Sequence, residues 1–284
     1  MPEGPEAHTM AAKLHSMISN LYILSINHIE RMINTNIDEI SLPIKILNVS
    51  AYGKRPIFTL ENGYIVSFLS MTGRWSFTKD KDAKMELELG TSTMMKLGNQ
   101  NINIIDVTSR IYYCGQGSVS KSNSLCGKVS YMRNQADLNI YFSSYGPDML
   151  ASPPKLETYT QIIKSVKAKH QYLCVFLLEQ EYVSGVGNYL RSDIMYHSRL
   201  HPMRLVSSLT NNEISNLYNS TILLMRLSFH HGGMSFSDYI DPYGEKGTYP
   251  RLVYRMKHDP TNQKVSVLDA PDGRKVYWVE QVQQ

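Results

Sequence analysis

Short alternating runs of apolar and polar residues fill the chain from Ile23 to about Tyr141. The runs are rich in Ile, Val, Tyr and Phe and are interrupted by Gly, Asn and Asp, as at 57–60, 64–69 and 129–132. Successive side chains of a β-strand point to opposite faces, so a period of two marks strands with one buried face. Many short strands at this spacing predict a β-sandwich or a barrel.

A helical pattern precedes the strands. Residues Glu6–Leu21 carry apolar side chains at helical spacing and predict a helix. Removal of Met1 would leave Pro2 as an N-terminal secondary amine beside the carboxylate of Glu3. A free α-amino group is less basic than a lysine amine, so more of it is unprotonated and nucleophilic near neutral pH. A disordered tail is the alternative interpretation.

The regular pattern breaks between Tyr145 and Pro154 (YGPDMLASPP), which predicts a linker. Beyond the linker, 157–178 and 211–230 carry helical periodicity. The second half of the chain is therefore predicted to be helical.

A glycine-rich turn separates the two helical regions. Gly185 and Gly187 permit a tight turn before a new helix near Asn188. Free N–H groups at such a helix start would suit a phosphate, although glycine-rich helix starts occur in many folds. Three lysines just upstream, Lys164, Lys167 and Lys169, could follow a phosphate backbone or form an ordinary solvated face.

The C-terminal part contains a loop and a hairpin signal. Met234–Pro250 is polar, aromatic and punctuated by glycine, as is typical of a loop that orders over a ligand. Alternating stretches at 252–256, 264–268 and 276–282 follow, and the Asp-Gly turn before the last of them predicts a β-hairpin. Arg274 stands directly after that turn, where it could clamp a phosphate or be an ordinary exposed arginine.

Two positions in the strand-rich half also suggest a nucleic-acid ligand. Lys54 lies at a glycine turn before a strand, in the sequence AYGKRP. Met71 lies in the loop SMTGRW after the strand at 64–69. A methionine at a loop tip could fill the space left by a base extruded from DNA, or it could be buried under its own loop.

Composition narrows the class of protein. A chain of 284 residues, with 42% hydrophobic and 19% charged residues, is long enough for two globular domains. A net charge of +4 permits an anionic partner without requiring one. Cys114, Cys126 and Cys174 form no CxxC pair, so neither a disulfide framework nor a cysteine-ligated zinc is expected. Neither a membrane helix nor a signal peptide is predicted, and we expect an intracellular protein.

Taken together and in order, these segments resemble the formamidopyrimidine-DNA glycosylase and endonuclease VIII family of DNA repair enzymes. The matching segments are MPEGPE, GKRP, FLSMTGRW, GPDML, LLEQEYVSGVGNYLRSDIMYHSRLHP and GGMSFSDYIDPYGEKGTYPRLVYR. The resemblance covers nearly the whole chain and implies an α+β fold. Its implied domains are an N-terminal helix and catalytic β-sandwich (1–143), a linker (144–154), a helix–two-turn–helix domain (155–233) and a lesion-capping loop with a terminal hairpin (234–284).

One departure from the family concerns zinc. The resemblance aligns four residues of this chain with the cysteines that hold zinc in most members, namely Thr261, Lys264, Val279 and Val282. None of them supplies a thiolate. The sequence therefore predicts a zincless finger, with no metal and no cofactor, held by strand pairing and apolar contacts.

The resemblance also implies a catalytic mechanism. Pro2 would attack the sugar C1′ of a damaged nucleotide flipped out of the duplex. Glu3 would act as general acid and base, and Lys54 would contact the lesion phosphates and assist elimination. The outcome would be release of the base, followed by β and δ elimination.

DNA contacts are implied for four further residues. Asn188 and Arg274 would clamp the phosphates on either side of the flipped nucleotide, which makes Arg274 both catalytic and DNA-binding. Met71 and Arg110 would fill or flank the void in the duplex. The sequence around Arg110 departs from the arginine-rich pattern of the family, so Tyr112 remains an alternative.

The sequence Asn-Tyr-Leu-Arg after the Gly-x-Gly turn and the missing zinc ligands resemble the endonuclease VIII and eukaryotic Nei-like branch more than the formamidopyrimidine branch. This resemblance favours oxidised pyrimidines and ring-opened purines as the damaged bases that the protein removes. The expected partner is damaged double-stranded DNA, with single-stranded DNA left open, bound by a monomer in the nucleus or another DNA-containing compartment. A catalytically silent damage-binding module and a structural DNA-binding protein are competing hypotheses; retention of Pro2, Glu3 and Lys54 argues against the first.

Overall fold

A computed structural model describes residues 2–29, 33–69, 73–97, 100–114, 128–165, 167–168, 170–234 and 240–284. The first helix, α1, spans Gly4–Ile18 and so begins and ends earlier than its periodicity predicted. Pro5 is tolerated in the first turn because the N–H that proline lacks would have no partner there. Asn20 has a left-handed φ of 70° just beyond the helix, which turns the chain into the first strand.

Among the described residues, nine strands make the sheet of the N-terminal half. They are Tyr22–His28 (β1), Ile33–Thr35 (β2), Ile44–Tyr52 (β3), Arg55–Leu60 (β4), Gly63–Phe68 (β5), Arg74–Ser76 (β6), Ala83–Leu97 (β7), Gln100–Cys114 (β8) and Lys128–Met132 (β9). Their order is β2-β9-β5-β4-β3-β1-β7-β8-β6. Strand β3 pairs with β1 at its start and with β4 along the rest, which divides the sheet into the two layers of a sandwich. The predicted β-sandwich is confirmed.

The core of this half contains the apolar face of α1. Met10, Leu14 and Ile18 are fully buried and belong to one cluster with the inward side chains of the strands. Trp75 lies in the same cluster, with its ring 4.9 Å from that of Phe58, and its Nε1 donates to Ser67 Oγ. Burying this apolar area supplies the main driving force for folding of this half.

Helices follow the strands. They are Gln135–Phe142 (α2), Leu156–Ile163 (α3), Leu173–Phe176 (α4), Asn188–His197 (α5) and Asn211–His230 (α6). Helix α6 has the predicted bounds and begins with a capping box, in which Thr210 and Glu213 each accept from the other's backbone N–H.

The single helical region predicted at 157–178 is wrong. Two short helices, α3 and α4, occupy it, because the first N–H groups of α4 bond to a distant segment and not to the preceding turn. The N–H groups of Leu173 and Cys174 donate to the carbonyls of Arg204 and Pro202. These tertiary hydrogen bonds replace the helical ones that the periodicity predicted.

The predicted C-terminal hairpin is confirmed. Strands Ser266–Asp269 (β10) and Lys275–Trp278 (β11) pair antiparallel, and the turn between them is closed by Ala270 N donating to Arg274 O at 2.9 Å. The alternating stretch at 252–256 is not a strand. Its backbone N–H groups donate to the buried carboxylate of Asp193 instead of to a neighbouring strand.

The chain divides into two compact units. The first contains Pro2, residues 6–143 and the loop segment 240–247; the second contains 3–5, 144–234 and 248–284. No described helix is long and apolar enough to cross a membrane.

Candidate functional site

Helix α5 of the second unit begins after the glycine turn, and its N-terminal N–H groups are bound by a residue from the start of the chain. Gly187 is the N-cap and has no side chain to accept from them. The carboxylate of Glu3 accepts from Gly187 N at 2.8 Å, Tyr189 N at 2.9 Å and Leu190 N at 3.3 Å. Three charge-assisted hydrogen bonds and the positive end of the helix dipole stabilise the ionised carboxylate.

This arrangement corrects the interpretation that these N–H groups would bind a phosphate. Glu3 is 3% exposed and occupies the position where an anion would lie. A phosphate contact at this helix start therefore has to come from a side chain, and Asn188 is the first residue of the helix.

The turn fits Glu3 closely. A Cβ on Gly187 would lie 2.2 Å from Glu3 Cδ, nearer than any real Cβ approaches. Gly4 N donates to Gly185 O at 2.7 Å, and a Cβ on Gly4 would lie 2.8 Å from Gly185 Cα. Glycine is therefore required at positions 4 and 187. The close contacts at these two positions fix the backbone immediately after Pro2.

Asn188 is held in one orientation by an arginine on the next turn of α5. Arg191 Nε donates to Asn188 Oδ1 at 2.9 Å. The amide Nδ2 faces the Tyr254 hydroxyl and the carbonyl of Lys275, each at 3.4 Å. Asn188 therefore lies against the hairpin that carries Arg274.

Arg274 follows the hairpin turn as predicted and is half exposed. Its backbone N donates to Asp272 Oδ1 at 3.3 Å, and its guanidinium Nη1 lies 3.6 Å from Asp272 Oδ2. Asp272 also accepts from Arg191 Nη1 at 3.0 Å. The second unit thus brings together three predicted site residues, namely Glu3, Asn188 and Arg274.

Tyr254 borders the same group. Burial raises the pKa of its hydroxyl, the hydrogen bond from Asn188 opposes that rise, and the charge of Glu3 adds to it. The Tyr254 ring packs against Tyr277 with centroids 5.0 Å apart. The hydroxyl stays protonated at neutral pH and keeps a polar contact beside Asn188.

Lys54 belongs to the first unit. Tyr52 pairs with Arg55, so Gly53 and Lys54 form the two-residue turn between β3 and β4, as the sequence predicted. Gly53 has a φ of 55°, which glycine adopts without strain. The guanidinium of Arg55 lies 3.9 Å from the centroid of the Phe68 ring, which braces the base of the turn.

Of the residues predicted to fill or flank the void, the structure describes only some. Met71 lies outside the described residues. Arg110 lies within β8, half exposed, and donates from Nη2 to Glu88 Oε1 at 2.8 Å; this bond lowers the pKa of Glu88. Tyr112, its alternative, is 8% exposed, and burial raises the pKa of its hydroxyl.

The positions aligned with zinc ligands do not fit a thiolate-bound zinc. Thr261 Oγ1 donates to Asp259, and Val279 is fully buried in a cluster with Val253 and Val265. Among the residues that the structure describes, no three His, Cys, Asp or Glu side chains group together as a metal site. Threonine, lysine and valine supply no thiolate at these positions.

Two family models match this chain. The formamidopyrimidine-DNA glycosylase N-terminal domain matches residues 1–107, and the formamidopyrimidine-DNA glycosylase H2TH domain matches 146–239. The formamidopyrimidine-DNA glycosylase of Streptococcus agalactiae is 27% identical over 259 residues, covering 89% of this chain and 87% of that protein. That of Haemophilus influenzae is 24% identical over 267 residues, covering 92% and 90%.

Solved structures resemble the whole chain. The MutM (Fpg) protein of Thermus thermophilus superposes with a TM-score of 0.81 at 22% identity, covering 99% of this chain and 98% of that one. A Lactococcus lactis FPG mutant, crystallised with a Fapy-dG containing DNA, gives a TM-score of 0.79 at 19% identity and covers 100% of both chains. The fold is therefore that of the formamidopyrimidine-DNA glycosylases. Because the two domain matches together span more than half of its residues, the chain belongs to the formamidopyrimidine-DNA glycosylase family.

Several residues of this site escaped the sequence-based prediction. Arg191, Asp272 and Tyr254 connect Asn188 to the hairpin, but nothing in their local sequence separates them from ordinary helix and turn residues. The Asp-Gly pattern predicts for Asp272 only a place in the turn. A buried charge on the apolar face of a helix, such as Arg191, is the one signal that could have been used, because such a residue requires a partner.

Proposed function

We propose that this protein is a bifunctional DNA glycosylase and abasic-site lyase of base excision repair, with Pro2 as its nucleophile. The observation that carries the proposal is the buried Glu3 carboxylate, which accepts three backbone N–H groups of α5 and so fixes the segment directly after Pro2. Membership of the formamidopyrimidine-DNA glycosylase family supports the same chemistry. A carboxylate held beside an N-terminal amine can accept a proton and return it.

The proposed reaction begins when the Pro2 nitrogen attacks C1′ of a flipped nucleotide. Pro2 gives its N–H proton to Glu3, the bond from C1′ to the base breaks, and the departing base takes a proton from water. Glu3 transfers a proton to the sugar ring oxygen as the ring opens. A secondary amine has no second proton to lose, so the product is an iminium ion that withdraws electrons from the sugar.

Two eliminations follow from the iminium. Loss of a C2′ proton breaks the C3′–O bond and releases the 3′ phosphate, and loss of a C4′ proton then breaks the C5′–O bond. Water hydrolyses the remaining adduct and restores Pro2. We assign Lys54 to the phosphates near these steps, where its positive charge stabilises the departing anions.

The remaining residues would hold the DNA. Asn188 and Arg274 are assigned to the phosphates flanking the flipped nucleotide, and the half-exposed guanidinium of Arg274 suits that role. Met71 and Arg110 are assigned to the void. Arg110 would first have to leave Glu88. Damaged double-stranded DNA is the proposed partner, bound by a monomer.

We further propose that the chain belongs to the endonuclease VIII branch and removes oxidised pyrimidines and ring-opened purines. Support comes from the Asn-Tyr-Leu-Arg start of α5 and from the aligned zinc positions, where Thr261 and Val279 cannot be thiolate ligands. A duplex series with one lesion each, compared by single-turnover rates, tests this preference. Faster release of 8-oxoguanine than of oxidised pyrimidines would contradict it.

Trapping with borohydride tests the enzyme proposal. The protein is incubated with an abasic-site duplex and borohydride, which reduces an iminium to a stable cross-link. We expect a cross-link from the wild type and little from Pro2→Gly. An N-terminally extended variant, whose residue-2 nitrogen is an amide, should give none.

Pro260 is exposed and provides the matched control. Pro260→Gly should cross-link like the wild type. A wild type that binds the duplex without cross-linking would instead indicate a catalytically silent damage-binding module. An undiminished cross-link from the extended variant would exclude Pro2 as the nucleophile.

A further inference from the structure

Arg191 is a fully buried arginine whose guanidinium bonds to three different parts of the second unit. Nε donates to Asn188 Oδ1 at 2.9 Å, and Nη1 donates to Cys174 O at 2.8 Å and to Asp272 Oδ2 at 3.0 Å. Nη2 lies 3.4 Å from Asp272 Oδ1. A buried charge is costly unless it is paired and hydrogen-bonded, and here both conditions are met.

Asp272 is the other half of the pair and is only 13% exposed. Its carboxylate faces Arg191 with both oxygens and also accepts from the backbone N of Arg274 at 3.3 Å. One carboxylate therefore joins helix α5 to the turn of the hairpin. The residue that it positions, Arg274, comes two places later in the chain.

The pair also determines how Asn188 presents its amide. A guanidinium only donates hydrogen bonds, so the atom of Asn188 that faces Arg191 must be the carbonyl oxygen. The NH₂ group then points the other way, towards Tyr254 and the carbonyl of Lys275. A phosphate oxygen needs a donor, and this orientation supplies one.

We propose that Arg191 and Asp272 are positioning residues that hold Asn188 and Arg274 in a single phosphate-binding frame. The inference rests on the proposed function for its ligand, DNA. In this chain the buried ion pair joins the hairpin to the helix at a finger whose aligned metal positions lack thiolates. Asp272 fixes the turn, and Arg191 fixes both the turn and the Asn188 amide.

Equilibrium binding to a duplex with an uncleavable abasic-site analogue tests the frame. Asp272→Asn keeps the shape of the side chain and removes its charge, and Arg191→Met removes the donors. Each is expected to weaken binding on the order of tenfold, the equivalent of one lost charge-assisted hydrogen bond. Arg191→Lys should not restore binding, because an ammonium cannot reproduce the planar fork.

Arg204→Met is the matched control. Arg204 also pairs with a carboxylate in this unit, Glu213, at 3.0 Å, but it lies outside the hairpin network. It should bind the analogue duplex like the wild type. Melting temperatures of all variants show which of them are folded.

A double-mutant cycle separates positioning from a general loss of structure. Arg274→Ala should weaken binding in the wild type but cost little in the Asp272→Asn background, because Arg274 is already displaced there. Additive losses, or wild-type binding by folded Asp272→Asn and Arg191→Met, would overturn the inference. Because binding is measured without chemistry, failure of the wild type to cross-link in borohydride would count against the proposed function alone.

Discussion

Glu3 shows how one side chain can link a chain terminus to a helix. Next to Pro2 in the sequence, it was predicted to act on the sugar. The structure adds that its carboxylate is the N-terminal cap of α5, a role that glycine at position 187 cannot fill itself. A capping carboxylate usually comes from the residue that begins the helix. Here it comes from 184 residues away, so the cap also positions the proposed nucleophile.

Gly187→Ala tests the contact between Gly187 and the Glu3 carboxylate, because it adds a single carbon atom there. The new methyl group would overlap Glu3 Cδ, and we expect the free energy of unfolding to fall by about 1–3 kcal/mol, as for other overpacked sites. Borohydride cross-linking should fall with it, because the segment beside Pro2 must move. Urea unfolding and cross-link yield are the measurements.

Gly244→Ala is the control for that substitution. Its added Cβ meets nothing within 4 Å, and only its left-handed φ of 88° would be strained. It should lower stability by about 1 kcal/mol, and because an abasic site has no base for this loop to cover, it should leave the cross-link unchanged. Equal effects of the two substitutions on cross-linking would contradict the role given to Gly187.

At the scale of elements, the terminal hairpin is held by packing. Val279 is fully buried after β11 and contacts Val253 and Val265, whereas Val267 on β10 is 51% exposed. The side chains where the family's cysteines align are threonine, lysine and valine, which are not thiolate ligands. The hairpin therefore depends on apolar contacts and on the Arg191–Asp272 pair.

Metal removal provides the test for the hairpin. We expect purified protein to contain no stoichiometric zinc and its melting temperature to be unchanged by a chelator. Val279→Ala should lower the free energy of unfolding by about 2 kcal/mol through the cavity it leaves. The exposed Val267→Ala on the same hairpin should change it by less than about 0.5 kcal/mol. One equivalent of zinc, or a chelator-dependent drop in melting temperature, would show that the finger is metal-bound.

At the scale of the whole molecule, the chain does not divide at a single point. The segment 240–247 follows α6 in sequence but belongs to the first unit. Lys13 on α1 forms an ion pair with the buried Asp241 and lies 2.9 Å from Glu245 Oε2. Asp241 in turn accepts from the backbone N of Tyr243 and of Glu245. This ion pair anchors part of the loop that the sequence assigned to lesion capping.

Lys13→Met should release this anchor. We expect faster hydrogen exchange at the amides of Tyr243 and Glu245 and a loss of about 1–2 kcal/mol in stability, because the Asp241 carboxylate loses its cation. Burial lowers the pKa of Lys13, but its hydrogen bonds to Asp241 and Glu245 outweigh that effect, so its pKa lies above the ordinary value for lysine. The contribution is therefore complete at neutral pH and is lost only as the pH rises through that raised value.

Lys81 is exposed, belongs to the first unit and provides the control. Lys81→Met should leave hydrogen exchange at the amides of Tyr243 and Glu245 unchanged. Unchanged exchange in Lys13→Met would mean that backbone contacts alone hold the segment. A stability difference between the wild type and Lys13→Met that persisted above the raised pKa would assign the effect to packing.

The local sequence determined the elements of this protein and the types of residue at its site. Period-two alternation, the helical pattern of 211–230 and the Asp-Gly turn each depend on a few neighbouring residues, and the corresponding elements formed. The placement of Lys54 in a turn and of Arg274 at the end of another followed for the same reason.

Tertiary structure alone decided which side chains meet. The carboxylate of Glu3 reaches Gly187 and the guanidinium of Arg191 reaches Asp272 across 184 and 81 residues of chain. Packing of distant segments also broke the helix predicted at 157–178, where Leu173 bonds to Arg204. The physical reason is common to all three: periodicity reports which face of an element is buried, whereas hydrogen-bond partners depend on how elements distant in sequence are brought together.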